Sequence, residues 1–233
     1  MARIVNPEEY QLRRNKILES AQRLIYTRGY EGMSIQDILA DQQISKGAFY
    51  HYFPSKQALL KALFEQMAHQ VLQLMAPITQ HNSLSAADKL RRVFDVALHW
   101  KTERKEVLLS LVSVWYADEN AALRQKAQAA LLPIIAPKLT QIVRQGIREG
   151  VFHNDFPDHV SGIMFSILQN FGDSLVALIV KPAPDPHLIQ HLEAVSASHQ
   201  DAIERLLGAQ PGSLPLFDTD VLREWLPLSN PSN

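Results

Sequence analysis

"ISKGAFYHYFPSK", residues 44–56, decides how this chain is read. Four aromatic rings (Phe49, Tyr50, Tyr52 and Phe53) surround His51, and a Ser-Lys pair stands at either end. A wholly buried helix has no place for two phenols, an imidazole and flanking lysines; a wholly solvated one has no use for two phenylalanines. With Ser45 to cap it and Pro54 to stop it, the segment reads as a two-turn helix with two working faces. Ile44, Phe49 and Phe53 fall on one side at helical spacing and plug a small core. Lys46, Tyr50 and His51 turn donors and ring edges outward.

Its neighbours are short helices too. In "MSIQDILADQ" (33–42), Ser34 caps and Asp37 closes a short-armed capping box three residues later, while Ile35, Ile38 and Leu39 supply the apolar face. Upstream, Ile17, Leu18, Ala21, Leu24 and Ile25 form the stripe of a helix that Gly29 ends. Downstream, Ser55 caps a long helix with Leu59, Leu60, Leu63, Phe64 and Met67 on its inner side. Each such cap contributes about 1 kcal/mol, a large share for a helix of two turns. Two short helices joined by a tight turn in a three-helix head make a helix-turn-helix, whose second helix can enter a major groove about 12 Å wide.

Beyond Met75 the periodicity stays helical. "PITQHNSLS" connects to a helix opened by Ser85 and Asp88, with Leu90, Val93, Phe94, Ala97 and Leu98 as its stripe. "KEVLLSLVSVWY" is another helix. The run from Asn120 to Phe152 is mostly helical, with Pro133 and Pro137 expected to bend it and Gly146 and Gly150 to mark its end. Asp158 or Pro157 opens a long apolar helix to Val180, "KPAPDP" is a stiff break, and 186–207 is a last long helix. "GAQPGSLPLFD" reads as a loop and "TDVLREWL" as a short terminal helix. No strand pattern or internal repeat emerges, so the fold class is all-α, with a head over 1–55 and a larger helical domain over 56–233.

Composition narrows the function. Hydrophobic residues make up 46% and charged residues 20%, the mix of a globular protein with ample core. The absence of cysteine excludes disulfides, thiolate metal sites and a cysteine nucleophile, and it suits a reducing cytoplasm. The N-terminus carries no apolar stretch of signal-peptide length, so a cytoplasmic location is expected. The 160–180 segment is interrupted by Gln169, Asn170 and Asp173, which argues for a buried helix over a membrane span. The net charge of −1 hides an asymmetry. Residues 1–61 hold nine Lys/Arg against six Asp/Glu, a net +3, and the remainder fourteen against eighteen, a net −4. A basic head with Arg3, Arg13, Arg14 and Lys16 near its start suits a polyanionic partner, although a solvated basic face would look the same by charge alone.

The stretch "ILESAQRLIYTRGYEGMSIQDILADQQISKGAFYHYFPSKQALL" resembles the DNA-binding head of the tetracycline-repressor (TetR) family. An alanine-bearing first helix, the pair Tyr30/Gly32, Ser34 before "IQDIL" and, above all, "SKGAFYHYFPSKQALL" carry the likeness over about a quarter of the chain. The resemblance implies a DNA-binding transcriptional regulator, commonly a repressor. It implies phosphate contacts from Ser34 and Gln36, a reading surface of Lys46, Gly47, Ala48, Tyr50 and His51, and backbone contacts from Tyr52 and Lys56. Gly47 and Ala48 suit close approach to base edges, and Ala48 a thymine methyl. One position departs: Gln43 stands in the turn where the family usually has glycine or a small residue. A positive φ there costs about 1 kcal/mol.

The resemblance further implies a homodimer paired through the helices near 158–180 and 186–207. Two reading helices then lie about 34–36 Å apart on a palindromic operator in double-stranded DNA. A monomer with those faces covered by its tail is the alternative. It also implies a small-molecule effector, here largely apolar, with Phe94, Leu98, Trp115, Met164 and Phe165 as candidate lining residues that equally suit plain core packing. No cofactor is expected. His153, Asp155, Asp158 and His159 are close in sequence but do not share a helical face, so no metal site is expected. No catalytic triad, phosphate-cradling loop or carboxylate pair appears. The rival readings are an all-α enzyme acting on a bound small molecule and a helical adaptor that docks proteins through its exposed aromatics.

Overall fold

In the computed structural model, which describes residues 6–180 and 185–226, every regular element is helical. The helices are α1 (Pro7–Gly32), α2 (Ile35–Gln42), α3 (Lys46–Tyr52), α4 (Lys56–Thr79), α5 (Ala86–Thr102), α6 (Lys105–Tyr116), α7 (Ala121–Arg148), α8 (Pro157–Ile179), α9 (Leu188–Leu207) and α10 (Thr219–Arg223), with a 3-10 turn at Asp118–Asn120. Arg3 of the basic cluster and residues 181–184 of the proline-rich break lie outside the described residues. Two compact units emerge: Met1–His69 with Arg104–Gln128, and Gln70–Glu103 with Ala129–Asn233. The head expected over 1–55 falls inside the first.

In the first unit the caps set the helix boundaries. Asn6 accepts from the Glu8 amide at 3.0 Å, and Pro7 starts α1 well before the apolar stripe begins. The chain departs from helical dihedrals at Gly29 (φ 73°), yet the helical run resumes as far as Gly32. Ser34 and Asp37 form the reciprocal capping box of α2, and Ser45 accepts from the Ala48 amide at 3.2 Å to open α3. Between α2 and α3, Gln43 stands in the left-handed region at φ 50°, ψ 43°. Ile17, Leu18, Ala21, Ile25, Ile38, Phe49, Phe53, Leu59, Leu60 and Leu63 are buried around these elements, whereas Ile44 is half-buried. The Asp41 carboxylate ties α1 to α2 by accepting from Ser20 and Arg23.

The second unit has one large core, in which Leu90, Val93 and Phe94 of α5 meet Leu139, Ile142 and Val143 of α7, Val160 and Met164 of α8, and Ile203 and Leu207 of α9. Both prolines of α7 are carried inside one continuous helix. Gly146 of α7 lies so close to Phe152 that a Cβ there would stand 2.0 Å from the ring. The segment after α9, expected to be a plain loop, is a packed strap. Leu214 and Leu216 are buried, and the buried Glu204 carboxylate accepts the amides of Gly212 (2.7 Å) and Leu214 (2.8 Å). Phe217 stacks on Phe171 at 4.0 Å, and the Trp225 indole donates to Thr102 at 2.9 Å.

The expectation that α8 is a buried helix is corrected. By length and composition α8 is apolar enough to cross a membrane, but only 17% of its most apolar window is buried within the chain. Val160, Met164, Phe171 and Leu178 face inward, while Ile163 is 50% exposed. One chain offers α8 neighbours on one side only, and its apolar residues occupy more than one side.

Candidate nucleic-acid interface

Every residue that the sequence assigned to DNA lies in the first unit, on α2, α3 or the start of α4. Ser34 and Gln36 are exposed at the N-terminal end of α2. The Ser34 hydroxyl is already engaged, donating to Asp37 at 2.6 Å and accepting the Asp37 amide at 3.2 Å. Along α3 the two faces separate cleanly. Phe49 is 0% and Phe53 2% exposed, their rings 5.9 Å apart, while Lys46, Gly47, Tyr50 and His51 are exposed and Ala48 and Tyr52 half-buried. Phe49 also supports Tyr50 from below, ring edge to ring face at 5.5 Å. The nearest atom that a Cβ on Gly47 would meet is the Ser45 hydroxyl at 4.0 Å. Internal packing therefore does not require a glycine at this position.

Electrostatics single out two cations. Arg13 pairs with Glu9, Arg23 with Asp41 and Arg28 with Asp37, each at 2.7–2.8 Å, so much of the positive charge in the head is matched within the chain. Lys46 makes no ion pair among the described residues, and it stands in the first turn of α3, where no acidic residue offsets it. A lysine there opposes the helix macrodipole, and an incoming anion would relieve the conflict. Lys56 places its Nζ 4.2 Å above the Tyr30 ring, a cation–π seat that holds the ammonium at the start of α4. The carboxyl of Asp37 is held below its ordinary value, first by the hydrogen bonds from Ser34 and then by Arg28; that of Asp41 is held below it by Ser20, Gln42 and Arg23.

Sequence reading named Arg13, Arg14 and Lys16 at the front of α1 but missed Tyr10. Tyr10 reaches α3, with its ring 5.7 Å from His51 and 4.8 Å from Tyr52, and Arg14 lies 5.1 Å above Phe53. The signal was present in "NPEEY", a capping asparagine, a proline at the first turn and two acidic residues near the positive end of the dipole. Phe94 and Met164 belong to the large core, Leu98 and the half-buried Phe165 are also in the second unit, and Trp115 packs on Phe64 at 4.1 Å in the first. An open depression of about 360 Å³ lies between α8 and α9, lined by Ile163, Ile167, Asn170, His199 and Ala202 among others. Among the described residues no group of three or more His, Cys, Asp or Glu is arranged to hold a metal ion.

A short capped helix with a buried aromatic side, an exposed polar side and a tight turn to its partner defines a helix-turn-helix protein. Residues 17–63, the segment that holds α2, α3 and the start of α4, match the family described as bacterial regulatory proteins, tetR family. Over 47 residues, 20% of this chain and 16% of the relative, it is 51% identical to the uncharacterized HTH-type transcriptional regulator YuxN of Bacillus subtilis. Over 86 residues, 37% of this chain and 43% of the relative, it is 28% identical to the HTH-type transcriptional repressor NemR of Escherichia coli. The alignments thus span well under two thirds of these relatives. A crystal structure of a TetR-family transcriptional regulator from Pectobacterium atrosepticum superposes with a TM-score of 0.59 over 87% of this chain and 97% of that one, at 19% identity. At that identity the likeness speaks for the fold alone.

Proposed function

We propose that this chain is a sequence-specific transcription regulator that binds double-stranded DNA through α3. The observation that carries the reading is the division of α3. Its two phenylalanines are sealed in the head, and Lys46, Gly47, Tyr50 and His51 stand exposed on the other side. Lys46, Gly47, Ala48, Tyr50 and His51 read base edges; Ser34, Gln36, Tyr52 and Lys56 hold phosphates. Since DNA is the target, the protein works in the cytoplasm.

The active form is a homodimer through α8 and α9. Support comes from the apolar surface that one chain leaves open on these helices, with Ile163 of α8, which lines the α8–α9 depression, and Ile189 of α9 each 50% exposed. Repression is the mode we assign, in keeping with the repressor among the similar proteins. Release follows when an apolar effector loosens the second unit near Phe94, Leu98, Met164 and Phe165. Selection of bound DNA from a random-sequence pool tests the reading directly. A palindrome with half-sites one helical turn apart is the expected result. Enrichment of no sequence, or binding insensitive to salt, would remove the DNA reading and favour a protein-docking adaptor.

A further inference from the structure

Tyr10 precedes the matched segment, which begins at Ile17, and α1 lays its ring against α3. Its ring stands at 84° to the His51 imidazole, 5.7 Å away, and 4.8 Å from Tyr52, while His51 and Tyr52 are themselves 5.3 Å apart at 76°. Each ring of the three therefore touches the other two. His51 remains exposed, and Tyr10 and Tyr52 are half-buried. The cluster is distinct from the fully buried core of the head, where Phe49 and Phe53 lie beneath α3. What Tyr10 contributes is a ring: no hydrogen bond from its hydroxyl occurs among the described residues.

An exposed imidazole in the last turn of a seven-residue helix would sample several rotamers. Any rotamer frozen only on binding subtracts from affinity, and contacts that fix it beforehand give that affinity back. Edge-to-face neighbours on two sides of His51 fix it before a ligand arrives. Resting on the reading of the chain as a DNA-binding regulator, we propose that Tyr10 is a positioning residue of the DNA interface. It holds the His51 imidazole in its binding orientation, and its own contribution to affinity passes through His51.

The test uses the full chain and the duplex that wild-type protein enriches from a random pool. Affinities are measured for Tyr10→Leu, Tyr10→Phe, His51→Ala, and Tyr10→Leu combined with His51→Ala. Tyr10→Leu should weaken binding roughly 3- to 10-fold, as expected for one side chain that must now be ordered on binding. Tyr10→Phe, which keeps the ring, should stay within about 2-fold, and once His51 is alanine the leucine change should also cost less than about 2-fold. Equal losses in both backgrounds would mean that Tyr10 merely buttresses α1, and no loss in either would mean that it does nothing; both results overturn the proposal. Should Tyr10→Leu fail to fold, proton NMR of the free protein decides, since the His51 ring protons must be displaced by ring currents in the wild type and in Tyr10→Phe. Undisplaced protons overturn the cluster. If the wild type enriches no duplex, the regulator reading falls and takes this inference with it, an outcome distinct from a failure of Tyr10 alone.

Discussion

The turn between α2 and α3 offers a sharp test because Gln43 holds a left-handed conformation with φ 50°. A residue with a Cβ loses about 1 kcal/mol in that region through its clash with the following carbonyl. Glycine escapes the clash but gives up about 0.5 kcal/mol through the extra freedom of its unfolded chain. Gln43→Gly should therefore stabilise the protein by about 0.5 kcal/mol, a rise of about 1–2 °C in the melting midpoint for a chain of this size. Asn, which tolerates the left-handed region through local hydrogen bonding, should fall between Gly and Gln. Gln43→Val forces a β-branched side chain into the same geometry and should lower stability by about 1 kcal/mol or more. Melting followed by far-ultraviolet circular dichroism gives the order Gly, Asn, Gln, Val. A flat series, or one in which Val equals Gln, would refute the left-handed turn itself. Because Gly keeps the turn where it is, operator affinity of Gln43→Gly should match the wild type.

The remaining expectations concern the head. Phe49→Ala empties a fully buried site and should cost about 3–5 kcal/mol, whereas Tyr50→Ala should stay within about 0.5 kcal/mol. Urea unfolding reads the first, and a changed base preference in a repeated DNA selection reads the second. Lys56→Ala should weaken binding to all duplexes alike and reduce the slope of log affinity against log salt by about 1, measured by fluorescence anisotropy. Asp37 and Asp41 bind protons less tightly folded than unfolded. Their contribution is thus complete above the ordinary carboxylate range near pH 4 and is lost as pH falls through their lowered folded values. Acid titration of Asp37→Asn with Asp41→Asn should show a flatter loss of helicity below about pH 4 than the wild type.

Local features were legible in the sequence because their causes are local. Ser34 with Asp37, Ser45, and Ser85 with Asp88 cap the helices assigned to them, since a cap depends on residues two or three positions away. Phe49 and Phe53 on one side of α3 and Tyr50 and His51 on the other follow from helical spacing alone. What escaped depends on distant partners. No pattern in "GAQPGSLPLFD" tells that Glu204 receives its amides, and none in α8 tells how much surface the chain leaves open there. Tyr10 lay between these cases. Its helix start was readable, but its neighbours His51 and Tyr52 are some forty residues away in sequence.

The strap after α9 has a bearing on how the protein is made. Leu214, Leu216, Leu222 and Leu226 are sealed into the second unit, so that unit cannot close its interior until Leu226 has been synthesised and has cleared the ribosome. The residues that build α1 to α3 emerge long before, and their small core can form while translation continues. A premature stop after Leu207 would leave an intact reading head attached to a body with an open, oily seam, a natural substrate for chaperones and proteases.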